Sequence, residues 1–239
     1  MRPLLTCLLL CLCLRADTVL VTAPGHLYRV DPTHATVTSL SPTGIWFDLA
    51  RSASGRWYAS DSESLYRLDP STGSATLIGE MQQFVNGMTF AGSTLYASGG
   101  CGLFTIDTDT GLAHVVGYTG FASSGDLEFF AGALYMTAMG PGNSSDLLVR
   151  LDPLTGQGAL IGTIGFSGVM GLASADGRLW GFTRQGDLLS LDPATGVGTR
   201  RASLGIMAYG ASRESVPEPA TVCLLGCGLL AVARCVRRR

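Results

Sequence analysis

The chain has 239 residues, 46% hydrophobic and only 14% charged, with 32 glycines, enough for one all-β domain with a full core and many tight turns. All 16 basic residues are Arg; ten of them lie between residues 17 and 219 together with all 18 acidic residues, a net of −8, so the basic footprint of a nucleic-acid partner is missing. Six of the seven cysteines sit in the two terminal segments, leaving Cys101 alone in the body, which excludes an intrachain disulfide there, and no Cys/His cluster offers a metal or cofactor site.

The first residues have the outline of a secretory signal peptide over 1–16. Arg2 is a small positive n-region, residues 4–14 are an eleven-residue apolar run, and Arg15-Ala16-Asp17 breaks it. That run is too short to span a bilayer as a helix. Cleavage is expected after Ala16, with Leu14 larger than usual at the −3 place. A lipoprotein would need a small residue before a late cysteine, and Leu10-Cys11 and Leu12-Cys13 do not supply one.

From residue 17 to 212 one phrase recurs. It reads Leu65-Tyr66-Arg67-Leu68-Asp69-Pro70-Ser71-Thr72-Gly73 in full and returns around Asp31, Asp107, Asp152 and Asp192, at spacings of 38, 38, 45 and 40 residues. A repeat of about 40 residues made of short strands predicts a β-propeller blade. In the second repeat the strands are expected at 46–50, 56–60, 64–69 and 74–79. Ser54-Gly55, Ala91-Gly92, Ala131-Gly132 and Asp176-Gly177 suit tight hairpins between the first two strands of each repeat. Alternation such as Leu65, Arg67, Asp69 against Tyr66, Leu68 is the period of a strand packed more on one face.

The first repeat lacks an inner strand, with strands expected only at 18–23, 26–31 and 35–40. After the fifth repeat, residues 205–211 resemble the inner strands around Gly87 and Gly171, and Gly210 follows Gly171 by 39 residues. The expected fold is therefore all-β: a five-bladed propeller of about twenty strands, its ring closed by a C-terminal strand.

The repeated aspartates read first as turn chemistry. Pro presets φ, Asp accepts amides two or three residues on, and Gly takes the left-handed position. Calcium binding is the alternative, and no second or third acidic ligand recurs beside them. The insertion at 139–146 falls in a loop between second and third strands. The loops joining blades carry Trp46, Phe47, Phe84, Phe121 and Phe166. These rings either line a face for sugars or peptides or wedge between blades, and their tracking of the repeat favours wedging.

Candidate chemistry is thin. His26, His34 and His114 are scattered, and no Gly-x-Ser-x-Gly phrase occurs. Asp48 and Asp126 occupy the register held by Gly87, Gly171 and Gly210 in the other inner strands. They could face the central channel, hold water or a cation there, or serve as an acid–base pair; a solvated channel is the plainer reading.

Past Ser215 the composition changes. Val216-Pro217-Glu218-Pro219-Ala220 leads into a twelve-residue apolar run at 222–233, then Arg234, Cys235, Val236, Arg237, Arg238 and Arg239. At about 1.5 Å per residue the run spans about 18 Å, short of a ~30 Å hydrocarbon core, so it suits a transient span with its Arg residues held on the cytoplasmic side. This order closely resembles the PEP-CTERM sorting signal of exported bacterial proteins. The resemblance implies recognition near Pro217-Glu218-Pro219 by an exosortase, a membrane cysteine transpeptidase. It implies membrane retention through Arg234, Arg237, Arg238 and Arg239 before processing. It also implies a final place on the outer surface or in the exopolysaccharide of a Gram-negative, biofilm-forming cell. The expected layout is a signal peptide at 1–16, a propeller at 17–212 and a sorting segment at 213–239 with a short hydrophobic helix. The function expected is that of a non-enzymatic display or adhesion module. A hydrolase or lactonase acting on matrix sugars and a periplasmic small-ligand binder are the alternatives.

Overall fold

The computed structural model describes residues 17–214. The expected signal peptide at 1–16, Pro217-Glu218-Pro219, the expected short hydrophobic helix and the terminal arginines lie outside the described residues.

Those residues form a five-bladed propeller of twenty strands. Blade 1 holds β1 (Val19–Ala23), β2 (His26–Asp31) and β3 (Thr36–Pro42). Blade 2 is β4 (Asp48–Arg51), β5 (Trp57–Ser60), β6 (Ser64–Leu68) and β7 (Ala75–Glu80). Blade 3 is β8 (Gly87–Ala91), β9 (Thr94–Gly99), β10 (Gly102–Ile106) and β11 (Ala113–Tyr118). Blade 4 is β12 (Ser123–Phe130), β13 (Ala133–Ala138), β14 (Leu147–Leu151) and β15 (Gly158–Thr163). Blade 5 is β16 (Val169–Ala175), β17 (Arg178–Thr183), β18 (Asp187–Leu191) and β19 (Gly198–Ser203). The final strand β20 (Gly210–Arg213) joins blade 1, pairing antiparallel with β1 from Thr22↔Gly210 to Val19↔Arg213. The only helical turn among the described residues is a 3₁₀ turn at Pro141–Asn143, in the predicted insertion.

The repeated aspartates at 69, 107, 152 and 192 close their outer hairpins as turn chemistry dictates. Asp107 Oδ1 accepts the amides of Asp109 (2.8 Å) and Thr110 (3.1 Å), and its backbone carbonyl accepts the Gly111 amide at 2.8 Å. Asp69, Asp152 and Asp192 repeat the pattern with Gly73, Gly156 and Gly196, all three glycines at positive φ.

The outer strand of every blade carries a register shift at one repeat position, as between Leu65↔Gly79 and Tyr66↔Leu77. Such a bulge raises the local twist, and in blades 2 to 4 it turns Ile78, Val116 and Ile161 onto the hydrophobic core. That core is divided into five clusters, one in each seam between blades, such as Leu20, Leu27, Trp46, Leu49 and Trp57 between blades 1 and 2. The outer strands stay partly wet, as the solvent-facing pattern of β7 and β15 shows.

The closing strand differs in position from the expected 205–211. Tyr209 donates its amide to the Thr22 carbonyl (2.9 Å), and strand pairing begins only there. Gly205, at φ 68°, turns the chain, and Ile206 and Ala208 fill the seam between blades 5 and 1 instead of joining the ladder. The ring also extends beyond residue 212. Glu214 donates its amide to the Thr18 carbonyl (2.8 Å) and its carboxylate takes Thr18 and the Arg29 guanidinium, while Arg213 pairs with Asp17.

Deleting residues 210–214 should bare β1 as an edge and abolish the cooperative melt or drive self-association. Truncation after Glu214 should leave the melting temperature unchanged. Circular dichroism and size-exclusion chromatography report both; a monomer with native melting after the first deletion would mean that β20 does not hold the ring.

Candidate functional site

The candidate site lies on the axis, where the five inner strands meet. Asp48 and Asp126 do come together there, and both are fully buried. Asp48 accepts the amides of Leu49 (2.7 Å) and of Met88 in the next blade (2.5 Å). Asp126 accepts Leu127 (2.6 Å), Leu172 of blade 5 (2.6 Å) and Ala211 of blade 1 (3.2 Å). The two carboxyls lie close enough to act on each other's protonation. Burial pushes both well above the usual carboxylate range, and for Asp126 the charge of Asp48 adds to it. Two carboxyls this close cannot both ionise at low cost, so the pair holds a proton between them. At this level the channel is closed rather than solvated.

The room for this pair comes from the glycines in the same register. A Cβ on Gly210 would sit 2.2 Å from Asp48 Oδ1, and one on Gly87 would sit 2.8 Å from the Asp126 Cα. Any side chain at either place would collide with backbone or carboxyl.

Two residues further along β12, on the same side of the strand, is Glu128, which sequence reasoning missed. The period of two that put Asp126 at the axis puts Glu128 there as well. It is 6% exposed, accepts the Thr89 hydroxyl (3.2 Å) and the Ser174 amide (3.0 Å), and is pushed up to about 7 by burial, with Thr89, Ser174 and Arg213 opposing. It forms part of the floor of a funnel of about 280 Å³ at the end of the axis where β4, β8 and β12 turn into their neighbours. Thr89, Ser174 and Ser212 share its lining, Phe90 and Phe129 flank it, and Arg51 and Arg213 also line it.

At the opposite mouth three loop aromatics gather. Phe47 stacks with Tyr209 (ring centroids 6.2 Å) and meets Phe84 edge-on (6.3 Å); Phe84 is 53% exposed. The other predicted rings wedge as expected: Trp46 is buried in the seam of blades 1 and 2, and Phe121 and Phe166 pack on neighbouring clusters. The histidines stay apart, His26 bonding Ser39 (2.6 Å) and His34 bonding Asp31 (2.8 Å).

Residues 215–239 match the PEP-CTERM protein-sorting motif. That motif marks an exported protein with a C-terminal membrane-anchoring tail that an exosortase recognises. No curated protein matches the chain. Among solved structures, a chain of a nidogen/laminin complex superposes with a TM-score of 0.56 at 11% identity, over 83% of this chain and 98% of that one. A Bacteroides caccae protein of unknown function gives 0.50 at 12%, over 79% and 73%. Myxococcus xanthus glutaminyl cyclase gives 0.50 at 16%, over 83% and 75%. At these identities the likeness is one of fold, and the neighbours include an enzyme.

Two opposed pH limbs follow. The turn aspartates 69, 107, 152 and 192 are held low by bonds from their own turns, so their support is present above the unfolded value and is lost as pH falls through the lower folded one. Glu128 is raised from the ordinary 4.5 to about 7. Between those values the folded state keeps a proton that the unfolded state has released, so stability falls as pH rises, by ~3 kcal/mol from this group. Thermal melts should therefore peak in mild acid, and Glu128→Gln should make the alkaline limb shallower, with the Asp48–Asp126 pair supplying what remains, while leaving the acid limb in place.

Proposed function

We propose that this chain is an exported, exosortase-processed propeller that acts outside the cell as a rigid, non-enzymatic binding and display module. Its place would be the surface or extracellular matrix of a Gram-negative bacterium. The observation that carries the reading is the join between body and tail: β20 ends at Arg213, Glu214 ties the last turn to Thr18 and Arg29, and the sorting motif starts at residue 215. Cleavage near Pro217-Glu218-Pro219 takes no strand from the ring. A tail with only twelve apolar residues holds a bilayer marginally and suits a substrate awaiting transfer. On this reading residues 1–16 are removed on export and Arg234, Arg237, Arg238 and Arg239 keep the end of the tail on the cytoplasmic side until then.

The rival, a hydrolase or lactonase working through Asp48 and Asp126, is disfavoured by their surroundings. Both are sealed from solvent and are engaged by five backbone amides and by each other, so no substrate atom can reach them without opening the ring. The axial funnel favours binding of a small ligand as part of the same role, with a matrix polysaccharide as the natural source of it.

Two outcomes test this. In the native host, Glu218→Ala should trap a longer species in the inner membrane, and mass spectrometry of surface-extracted wild-type protein should find no intact C-terminal Arg239. Incubated with matrix polysaccharides and lactones, the purified protein should bind without turnover; turnover abolished by Asp48→Asn/Asp126→Asn would establish the hydrolase instead.

A further inference from the structure

We propose that the axial funnel is a binding site for a hexuronate, a sugar carrying one carboxylate, with the carboxylate on Arg51 and the hydroxyls on Thr89, Ser174, Ser212 and Glu128. This rests on the reading of the chain as a binding module and names its ligand.

The funnel is where all five blades contribute to one cavity. Arg51 comes from blade 2, Thr89 and Phe90 from blade 3, Glu128 and Phe129 from blade 4, Ser174 from blade 5, and Ser212 and Arg213 from blade 1. A volume of about 280 Å³ suits one pyranose ring rather than a chain segment, just under the usual range for small-ligand sites. Hydroxyl donors and a carboxyl on the floor with two phenyl rings beside them suit a ring that is polar at its edge and apolar on its faces.

Charge selects the acid form. Glu128 is faced by Thr89 from β8 and Ser174 from β16, both neutral, by Arg213 from β20, which pairs with Asp17, and by Arg51 at the end of β4. Deeper on the axis are Asp126 on its own strand and Asp48 on β4, which hold a proton between them. Arg51 makes no ion pair among the described residues and lies over the Trp57 ring at 5.9 Å. With Glu128 protonated below about 7 the funnel is locally cationic despite the acidic body. Once Glu128 ionises, a second carboxylate in the same cavity is repelled.

The test is titration calorimetry on the full-length protein in mild detergent, with glucuronate and galacturonate against glucose and glucosamine, at about pH 5.5 and 8.5. Hexuronate should bind and the neutral and amino sugars should not, and its affinity should fall at least roughly tenfold at the higher pH. Arg51→Gln, on a partly exposed side chain at the funnel wall, should abolish binding with the melting temperature kept. Glu128→Gln should bind equally at both pH values. Should Glu128→Gln fail to fold, the wild-type pH ratio and Arg51→Gln still decide. No hexuronate binding, equal binding of glucose, or binding indifferent to Arg51→Gln would each overturn the proposal. Binding followed by turnover would instead overturn the non-enzymatic reading and leave the site in place.

Discussion

The innermost strand of each blade is a sheet edge, and it is buried. On its blade side it pairs with the second strand; on its axis side its amides have no strand to bond. A buried amide without a partner costs more than a hydrogen bond returns, so a propeller with a narrow axis must find acceptors for these edges. Here the acceptors are side-chain carboxyls. Asp48 reaches the Met88 amide across the seam of blades 2 and 3, and Asp126 reaches Leu172 in blade 5 and Ala211 in blade 1. Glu128 repeats the bond one pleat further on, to Ser174. Acids do this because a carboxyl offers two oxygens on a short stem, and the price is burial, met by keeping protons rather than charges on the axis.

The same closeness shapes the outer seams. In blades 2, 3 and 4 the bulged outer strand presents Gly79, Gly117 and Gly162 to the hairpin of the next blade, where a Cβ would stand 2.0 to 2.1 Å from the carbonyl oxygens of Thr110, Thr155 and Thr195. The turn glycines of those hairpins, Gly111, Gly156 and Gly196, are crowded in return. Glycine is thus required twice over, for positive φ in the turn and for contact across the seam. The last seam departs from this. Ala35 takes the turn position at φ 53° and Ala202 the place beside the bulged Arg201, and both pack on the cluster of Val19, Val21 and Phe182. A non-glycine left-handed residue costs on the order of 1 kcal/mol, and here apolar contact across the seam offsets it.

These rules also say what could be read in advance. Repeat length, turn residues and strand period are local properties, so five blades, the Asp-Pro turns and the offset closure were legible in one sequence. The register that aligns Asp48 and Asp126 with Gly87, Gly171 and Gly210 was legible too. What it meant was not, because a register gives the side of a strand and not the radius at which that side stops. A wider ring would have made those carboxyls a wet channel lining. Glu128 lies on the same period, but its row in the other blades holds Ala50, Thr89, Ala173 and Ser212, so no repeated residue type marks it. The loop aromatics divided for a similar reason. Trp46, Phe121 and Phe166 find a seam to enter, whereas Phe47, Phe84 and Tyr209 sit where three seams run out at the mouth.

Closure carries a different cost from every other pairing in the molecule. Nineteen strands form their blades through hairpins between neighbours in sequence; β20 must find β1 across some 190 residues, between partners such as Thr22 and Gly210. The entropy of closing so long a loop grows only slowly with its length, so it stays modest, yet it opposes closure before any contact offsets it. The structure meets this by making the last join a hydrogen-bonded ladder inside a blade instead of a side-chain seam between blades. Four residue pairs are reinforced beyond the ladder by Glu214 on Thr18 and Arg29 and by Arg213 on Asp17. Ion pairs at exposed ends add little singly, but these are partly buried and bracket the ladder where it would fray. The closing strand is also the strand that bears on the axis, since Ala211 donates to Asp126 and Gly210 makes the space for Asp48. One four-residue segment therefore completes the sheet, the core of the last seam and the carboxyl plug together, so ring closure and axial order depend on the same residues.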